Sequence, residues 1–258
     1  MSEETIVLMV AAGLFGHLLG SFLNVVAIRL LNGQSFVYPP SHCVHCKTRI
    51  HYYDLIPVIS YVLLGGKCRS CKARISAVYP LGELATGLLF ALFAWRWGWQ
   101  AELLPAWLFA AVLVVIVHTD IKQRIIPDRV LAFAAFSIIL IRLLWSSPLP
   151  LWNYAVSSLA AGGLLLVLGM ISNGGMGGGD IKLFAVIGLF LGLESTIFVL
   201  FAASVLGILY GGWQRLFHRQ EDAKTFIPFG PFIAVAAVAM YVWGEEISQW
   251  YWDLYTLL

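Results

Sequence analysis

The chain has 258 residues, of which 60% are hydrophobic and only 12% are charged, and its mean hydropathy is +0.84. A soluble domain is nearer half apolar and a quarter charged, so the composition excludes an ordinary soluble protein and indicates an integral membrane protein. The formal net charge of +2 gives no reason to expect a nucleic-acid partner, and membrane lipid is the partner that this composition implies.

Eight apolar segments approach the length needed to cross a bilayer, which takes about 20 residues of helix. We therefore predict an all-α polytopic membrane protein with about eight transmembrane helices and a small cytoplasmic insert. The sixth segment is short, and no internal repeat is evident. The segments are Ile6–Ile28, Tyr79–Trp97, Leu103–Thr119, Pro127–Trp145, Trp152–Ile171, Asp180–Leu193, Thr196–Leu216 and Phe226–Trp243.

Basic residues cluster on one side of this predicted topology. With the N-terminus outside, 14 of the 16 Lys and Arg residues fall in inner loops or adjoining helix ends, and only Arg96 and Arg142 fall outside. Since basic residues collect on the cytoplasmic side of a membrane protein, we predict that both termini are extracytoplasmic.

The most polar stretch, from Leu31 to Ala77, forms the cytoplasmic insert. It holds four cysteines as two CxxC pairs, Cys43 with Cys46 and Cys68 with Cys71, separated by 21 residues. Two such pairs supply the four thiolates of a closed, structural zinc site, and bound zinc is the staple that so small a domain needs. The alternatives are four free cytosolic thiols, or a nearby histidine in place of one cysteine.

Two aspartates, Asp120 and Asp180, stand at ends of predicted membrane helices and fall at the cytoplasmic rim. An acid within a membrane protein is costly and is therefore a functional candidate. Asp180 follows Gly177, Gly178 and Gly179, whose lack of side chains permits close backbone approach. Two carboxyl groups that meet can share a proton and act as base and acid, which is aspartyl protease chemistry. The alternatives are two unrelated loop acids, or a transporter whose acids relay protons or bind a cation.

Two further acids have plainer interpretations beside functional ones. Asp128 follows Pro127 and is typical of a helix start, so we favour Asp120 as the catalytic residue. Glu83 lies inside the start of the second predicted membrane helix. It is a candidate for methyl transfer, or a helix-start charge that reaches interfacial water.

A series of short motifs, in order along the chain, resembles the type IV prepilin peptidases, which are GxGD-type intramembrane aspartyl proteases. The motifs are Gly20-Ser21-Phe22-Leu23-Asn24-Val25-Val26 with Arg29, the two CxxC pairs, Ile56-Pro57-Val58-Ile59-Ser60, Gly66-Lys67-Cys68, Tyr79-Pro80-Leu81-Gly82-Glu83-Leu84, Asp120 with Ile126-Pro127-Asp128, Gly177-Gly178-Gly179-Asp180-Ile181-Lys182-Leu183, and Ile227-Pro228-Phe229-Gly230-Pro231. The resemblance implies that Asp120 and Asp180 are the protease pair. It also implies that the substrates are prepilins or pseudopilins, cleaved at the cytoplasmic face of the bacterial inner membrane.

Family members that carry the cysteine insert usually also N-methylate the new terminal amine with S-adenosylmethionine. The resemblance thus divides the chain into a first transmembrane helix (1–31), a tetracysteine insert with the methyltransferase region (32–78) and a seven-helix protease core (79–258). Glu83, Asn24 and Arg29 are our candidate methyltransferase residues. Among them Glu83 is the acid proposed for methyl transfer, and Asn24 and Arg29 are expected to bridge the insert and the membrane, with snorkelling as the alternative for Arg29. The remaining alternatives are a protease-only preflagellin-type peptidase and a scaffold whose zinc knuckle recruits partners.

Overall fold

The computed structural model describes residues 2–145, 147–172, 175–217 and 228–256. Within these ranges the regular structure is helical, apart from two isolated β-bridges in the insert. The predicted all-α class is therefore confirmed. The chain forms two compact units, Met1–Thr119 and Asp120–Leu258. The three parts predicted from the sequence are defined by function, whereas these two units are defined by packing. The packing units therefore do not test the three-part division.

The first unit contains helices α1 to α4. They are α1 (Glu3–Leu31), α2 (Ile59–Leu63), α3 (Val78–Trp97) and α4 (Leu103–Gln123), with a 3-10 turn at Tyr52–Leu55. The last residues of α4, from Asp120 onward, belong to the second unit. α1 begins where the Ser2 hydroxyl accepts a hydrogen bond from the Thr5 N–H, which caps one of the free donors of the first turn.

Helices α1 and α3 approach each other closely because glycines line their contact. A Cβ atom on Gly16 would lie 2.9 Å from the Gly87 Cα, and one on Gly20 would lie 2.9 Å from the Glu83 Cα. Small residues at a membrane helix contact allow this close approach. The packing places Asn24, one turn beyond Gly20, against the start of α3, where its Nδ2 donates to the Tyr79 carbonyl at 2.8 Å.

The second unit contains helices α5 to α9. They are α5 (Asp128–Leu144), α6 (Leu151–Ile171), α7 (Gly178–Leu191), α8 (Leu193–Phe217) and α9 (Gly230–Thr256). α6 and α7 touch through Gly188, where an added Cβ would lie 2.6 Å from the Ser158 nitrogen. α7 ends at Gly192, whose φ of 80° suits glycine. The buried Arg142 donates to the Phe190 carbonyl, so it places a positive charge at the C-terminus of α7.

Within the described residues, each of the eight predicted apolar segments is largely helical, and six of the described helices are long and apolar enough to cross a membrane. The other two, α5 and α7, have 17 and 14 residues. At about 1.5 Å per residue, α7 spans only about 21 Å of a core about 30 Å thick. A multi-pass membrane protein is confirmed, and six spans are the count that length and composition support.

The final predicted span ends at Trp243, and there the structure has a kink, with φ −120° and ψ 20°. The helix then continues to Thr256. The start of that span at Phe226 and most of the preceding polar loop lie outside the described residues.

Candidate active site and metal centre

Asp120 lies near the C-terminus of α4 and is 6% exposed. Its Oδ2 accepts a hydrogen bond from the Gly230 N–H at 2.8 Å. The contact joins residues 110 positions apart and fixes the carboxylate against the first residue of α9. The Phe229-Gly230-Pro231 motif carries no predicted role in the sequence, and the structure identifies Gly230 as a direct hydrogen-bond partner of Asp120.

Asp180 lies in the first turn of α7 and is half-buried. It is close enough to Asp120 for the two carboxyl groups to interact electrostatically. The two acids therefore lie near each other, and their joint catalytic role stays a prediction. Since like charges at short range cannot both ionise cheaply, such a pair is suited to hold one proton between two groups.

Each aspartate carboxylate lies against a glycine. A Cβ on Gly230 would lie 2.8 Å from Oδ2 of Asp120, and a Cβ on Gly177 would lie 3.0 Å from Oδ2 of Asp180. Both distances are below the 3.4–4 Å of ordinary contact. At these two positions glycine therefore provides room for a carboxylate oxygen.

The other two glycines of the loop differ from each other. A Cβ on Gly179 would lie 2.9 Å from the Cβ of Ile126, so this residue must be small for α7 to pack against the segment before α5. No atom of the described residues lies within 4 Å of a Cβ added at Gly178. Within the described part of the chain, contacts thus require glycine at Gly177 and Gly179 but not at Gly178.

The charged residues beside the acid pair are engaged with each other. The Lys182 ammonium donates to both carboxylate oxygens of Asp128, at 2.8 and 2.9 Å. Asp128 is the first residue of α5, as expected of a helix-start acid. Its ion pair with Lys182 joins the first turns of α5 and α7, so Asp128 has a structural role that sequence spacing did not reveal.

In the first unit, the four cysteines of the insert converge. The Sγ atoms of Cys43, Cys46, Cys68 and Cys71 all lie within 4.8 Å of one another, and the Cys43 and Cys71 sulfurs are 3.8 Å apart. Zinc–sulfur bonds of about 2.3 Å in a tetrahedron place sulfurs about 3.8 Å apart. The cluster therefore fits a four-coordinate zinc ion.

The electrostatics of the thiols also fit a metal. Hydrogen bonds from the Thr48 side chain and backbone lower the pKa of Cys46 to about 6. At Cys71, a hydrogen bond from the Ala73 N–H lowers the pKa. Desolvation and the three neighbouring cysteines outweigh this effect and raise the pKa of Cys71 to about 11. Ionisation of Cys71 is thus opposed by its neighbours, and a metal ion, which binds thiolates, would stabilise the ionised form.

The two CxxC pairs form matching knuckles 25 residues apart. In each, the lysine after the second cysteine donates its N–H to the carbonyl of the first: Lys47 to Cys43 and Lys72 to Cys68, at 2.9 and 3.0 Å. Both lysines have left-handed φ, 59° and 60°. The sequence has the same pattern, Cys-Lys-Thr-Arg-Ile at 46–50 and Cys-Lys-Ala-Arg-Ile at 71–75. The expectation of no internal repeat is therefore wrong for the insert, which contains this short repeat.

Glu83 ties the insert to α3. It is 9% exposed, and its Oε2 accepts the Val58 N–H at 2.8 Å. Val58 has φ 60° and ψ −50°, and the Ile59 N–H donates to the Pro57 carbonyl, which makes a γ-turn of the rare, strained kind. A β-branched residue at positive φ persists only where its surroundings hold it.

The other methyl-transfer candidates are also engaged with the chain's own backbone. Arg29 donates to the Ser35 and Pro39 carbonyls, which holds the chain where it leaves α1. Asn24 donates to the Tyr79 carbonyl through Nδ2, while its buried Oδ1 has no hydrogen-bond partner among the described residues. The bridging expected of Asn24 and Arg29 thus has a physical basis in these contacts, and their part in methyl transfer stays a prediction.

Comparisons with known proteins agree with this geometry. The model of the bacterial peptidase A24 N-terminal domain matches residues 14–97, and that of the type IV leader peptidase family matches residues 107–212. Several relatives are named prepilin leader peptidase/N-methyltransferase. One from Bacillus subtilis (strain 168) is 39% identical over 92% of this chain and 95% of its own. One from Aeromonas salmonicida (strain A449) is 32% identical over 92% of this chain and 91% of its own. One from Stutzerimonas stutzeri is 32% identical over 97% of this chain and 96% of its own. No solved structure matches the chain significantly. These matches do not favour the transporter, scaffold or protease-only alternatives.

Proposed function

Because this chain belongs to the type IV leader peptidase family, we propose that it removes the leader from type IV prepilins or pseudopilins and N-methylates the new N-terminus. The observation that supports the proposal is the proximity of Asp120 and Asp180, which interact electrostatically and each lie against a glycine. We place this reaction at the cytoplasmic face of the bacterial inner membrane, with both termini outside, on the distribution of basic residues.

Peptide hydrolysis by this pair needs one base and one acid. The Gly230 N–H occupies one oxygen of Asp120, so the other oxygen is available to a water molecule, and we assign the base to Asp120. It takes a proton as the water oxygen bonds to the peptide carbon, and Asp180 gives its proton to the leaving nitrogen as the carbon–nitrogen bond breaks. One proton has then moved from Asp180 to Asp120, and its return restores the pair.

The glycine loop supports this chemistry by leaving room. None of the described residues comes within 4 Å of a Cβ added at Gly178, which follows Gly177, and Gly177 lies against Asp180. A peptide backbone can approach such a surface without meeting side chains. This arrangement suits a protease, which must bring the main chain of its substrate, rather than a side chain, to the acids.

The insert has a structural part in this proposal. Cys43, Cys46, Cys68 and Cys71 would hold zinc in a closed site, and a closed site stabilises a fold rather than activating water. S-adenosylmethionine supplies the methyl group when bound. Glu83 and Arg29 are committed to the insert backbone, so we assign them to holding the insert in place and derive no methyl-transfer step through them.

The test is cleavage and methylation of a purified prepilin by the detergent-solubilised protein, with and without S-adenosylmethionine. Asp120→Asn and Asp180→Asn should each lose about 10²- to 10⁴-fold in cleavage rate, since each removes an acid–base group. Asp128→Asn is the matched control and should keep near wild-type activity, because this acid is exposed and paired with Lys182. If either asparagine variant of the pair cleaves at the wild-type rate, the acid-pair mechanism is wrong.

A further inference from the structure

The short helix α2 exposes an apolar face. Its residues Ile59, Val62 and Leu63 are 57%, 69% and 81% exposed. Residues three and four positions apart lie on the same side of a helix, so these side chains form one patch. A single exposed apolar residue is ordinary, but a contiguous patch indicates an interaction surface.

The insert that carries α2 stays at one surface of the membrane. Its two ends join α1 and α3, which are both long and apolar enough to cross a bilayer. The two helices run antiparallel. Gly16 packs against Gly87, while Gly20, further along α1, packs against Glu83, which comes earlier in α3. The end of α1 and the start of α3 therefore lie at the same surface.

A hydrogen bond holds α2 at the level of that surface. The N–H of Val58, the residue directly before α2, donates to Oε2 of Glu83 at 2.8 Å. Glu83 lies five residues after Val78, the first residue of α3, or about 7.5 Å along the helix axis. Every 18-residue stretch of this 20-residue helix includes Glu83. The start of α2 therefore lies beside the end of a membrane span rather than out in water.

Two cations face each other shortly after α2. Lys67 and Arg74 form an antiparallel β-bridge in the second knuckle. The bridge is of the non-hydrogen-bonded kind, since the Cys68 N–H donates to the Ala73 carbonyl at 2.8 Å. Such pairs bring their side chains closest, with Cα atoms about 4.5 Å apart. Both side chains are exposed, and like charges directly opposite each other are destabilising. The pair is therefore suited to an anion that lies against both.

The insert itself does not supply that anion. Residues 32–77 contain six Lys and Arg residues and a single acid, Asp54, which leaves a net charge of +5 with histidine neutral. Asp54 is already paired with Arg69 at 2.7 Å. Among the residues that the structure describes, no acidic side chain forms an ion pair with Lys67 or Arg74.

We propose that α2 and the Lys67–Arg74 pair dock on the anionic phospholipids of the membrane that the chain spans. The apolar patch enters the interface, as the apolar faces of surface helices do, and the two cations bind lipid phosphate. The two parts adjoin, because Lys67 follows Leu63 by four residues and an extended chain of that length covers at most about 14 Å. A lipid surface is favoured over a second copy of the chain, since two inserts of net charge +5 repel each other.

Photocrosslinking in nanodiscs tests this docking surface. The full-length chain, with a photoreactive diazirine residue in place of Leu63, is reconstituted in equal parts of phosphatidylglycerol and phosphatidylcholine, and its adducts are identified by mass spectrometry. Most adducts should be lipid, and phosphatidylglycerol should exceed phosphatidylcholine by about 10- to 30-fold, as expected for two cations near an anionic surface. Salt at about 1 M should abolish this preference in the same protein, because the screening length falls to about 3 Å. The readout involves no prepilin, so it is independent of the proposed function.

Lys67→Gln combined with Arg74→Gln should also abolish the preference. The matched control is Lys47→Gln combined with Arg49→Gln, which removes the same charge from the first knuckle and should keep most of the preference. Equal labelling of the two lipids without these substitutions, equal loss in both double variants, or adducts mainly with another copy of the chain would overturn the docking surface. Loss of the preference in excess inorganic phosphate at constant ionic strength would show that the pair binds free phosphate, which would overturn it as well.

Discussion

The two glycines beside the aspartates allow a sharp test of the active-site geometry. Gly177 has φ −67° and ψ 134°, a conformation open to alanine, so Gly177→Ala introduces no backbone strain. Its Cβ would lie 3.0 Å from Oδ2 of Asp180. Reaching the 3.4 Å limit of ordinary contact requires a shift of about 0.4 Å, while at Gly230, where the distance is 2.8 Å, the shift is about 0.6 Å.

Shifts of this size should have little effect on folding stability but a large effect on the reaction rate. A carboxylate at the end of a side chain can move a few tenths of an ångström, so the fold should be retained. Catalytic groups, however, must be held within about 0.5 Å of their productive positions, and a misplacement of about 1 Å can cost 10²-fold. We expect Gly177→Ala to lose about 10-fold in cleavage rate. Gly230→Ala should lose more, because the hydrogen bond to Gly230 restricts where Asp120 can go.

Gly178→Ala is the matched control in the same loop. Its Cβ meets nothing, and alanine within a helix is more stable than glycine by about 0.5–1 kcal/mol. It should therefore keep full activity and gain slightly in stability. The assay is the initial rate of prepilin cleavage, with thermal unfolding followed by tryptophan fluorescence. Equal losses in Gly177→Ala and Gly178→Ala, or full activity in a folded Gly177→Ala protein, would refute the reasoning.

Three other predictions concern the insert. Glu83→Ala should increase proteolysis of the insert. Glu83→Gln should keep the insert protected, because the glutamine carbonyl can still accept the hydrogen bond from the Val58 N–H. Equal proteolysis of both variants would contradict a role of this hydrogen bond in holding the insert. Cys46→Ser or a strong chelator should remove about one zinc per chain, measured by mass spectrometry of the metal, and lower the melting temperature; a purified wild-type protein without metal would refute the site. Lys47→Gly and Lys72→Gly should each raise the free energy of unfolding by up to about 1 kcal/mol, because glycine adopts the left-handed φ that lysine disfavours. If both variants are less stable than the wild type, contacts of the lysine side chains outweigh the backbone strain.

Much of this fold follows from local sequence, and the contacts of its site do not. Apolar length predicts each of the eight main helices, since membrane helices must satisfy their own backbone within one segment. Two CxxC pairs predict the sulfur cluster because zinc chemistry permits few arrangements. By contrast, the bond from Gly230 to Asp120 joins residues 110 positions apart, and no local pattern encodes it.

The remaining surprises have physical reasons of the same kind. The strained turn at Val58 depends on a carboxylate 25 residues away, Glu83, so a β-branched residue gives no local sign of positive φ. The pairing of Asp128 with Lys182 likewise joins two helix starts 54 residues apart. The knuckle repeat is visible in the sequence but is a weak signal, because only five residues of each copy are identical.

The central claim is that Asp120 and Asp180 act together on one peptide bond. A cryo-electron microscopy structure with a bound, non-cleavable prepilin tests it most directly. The account predicts that both carboxyl groups lie within about 2.6–3.2 Å of the same peptide group or of a water molecule on it. A substrate whose cleavage site contacts only one of the two acids, with the other turned away, would contradict the account.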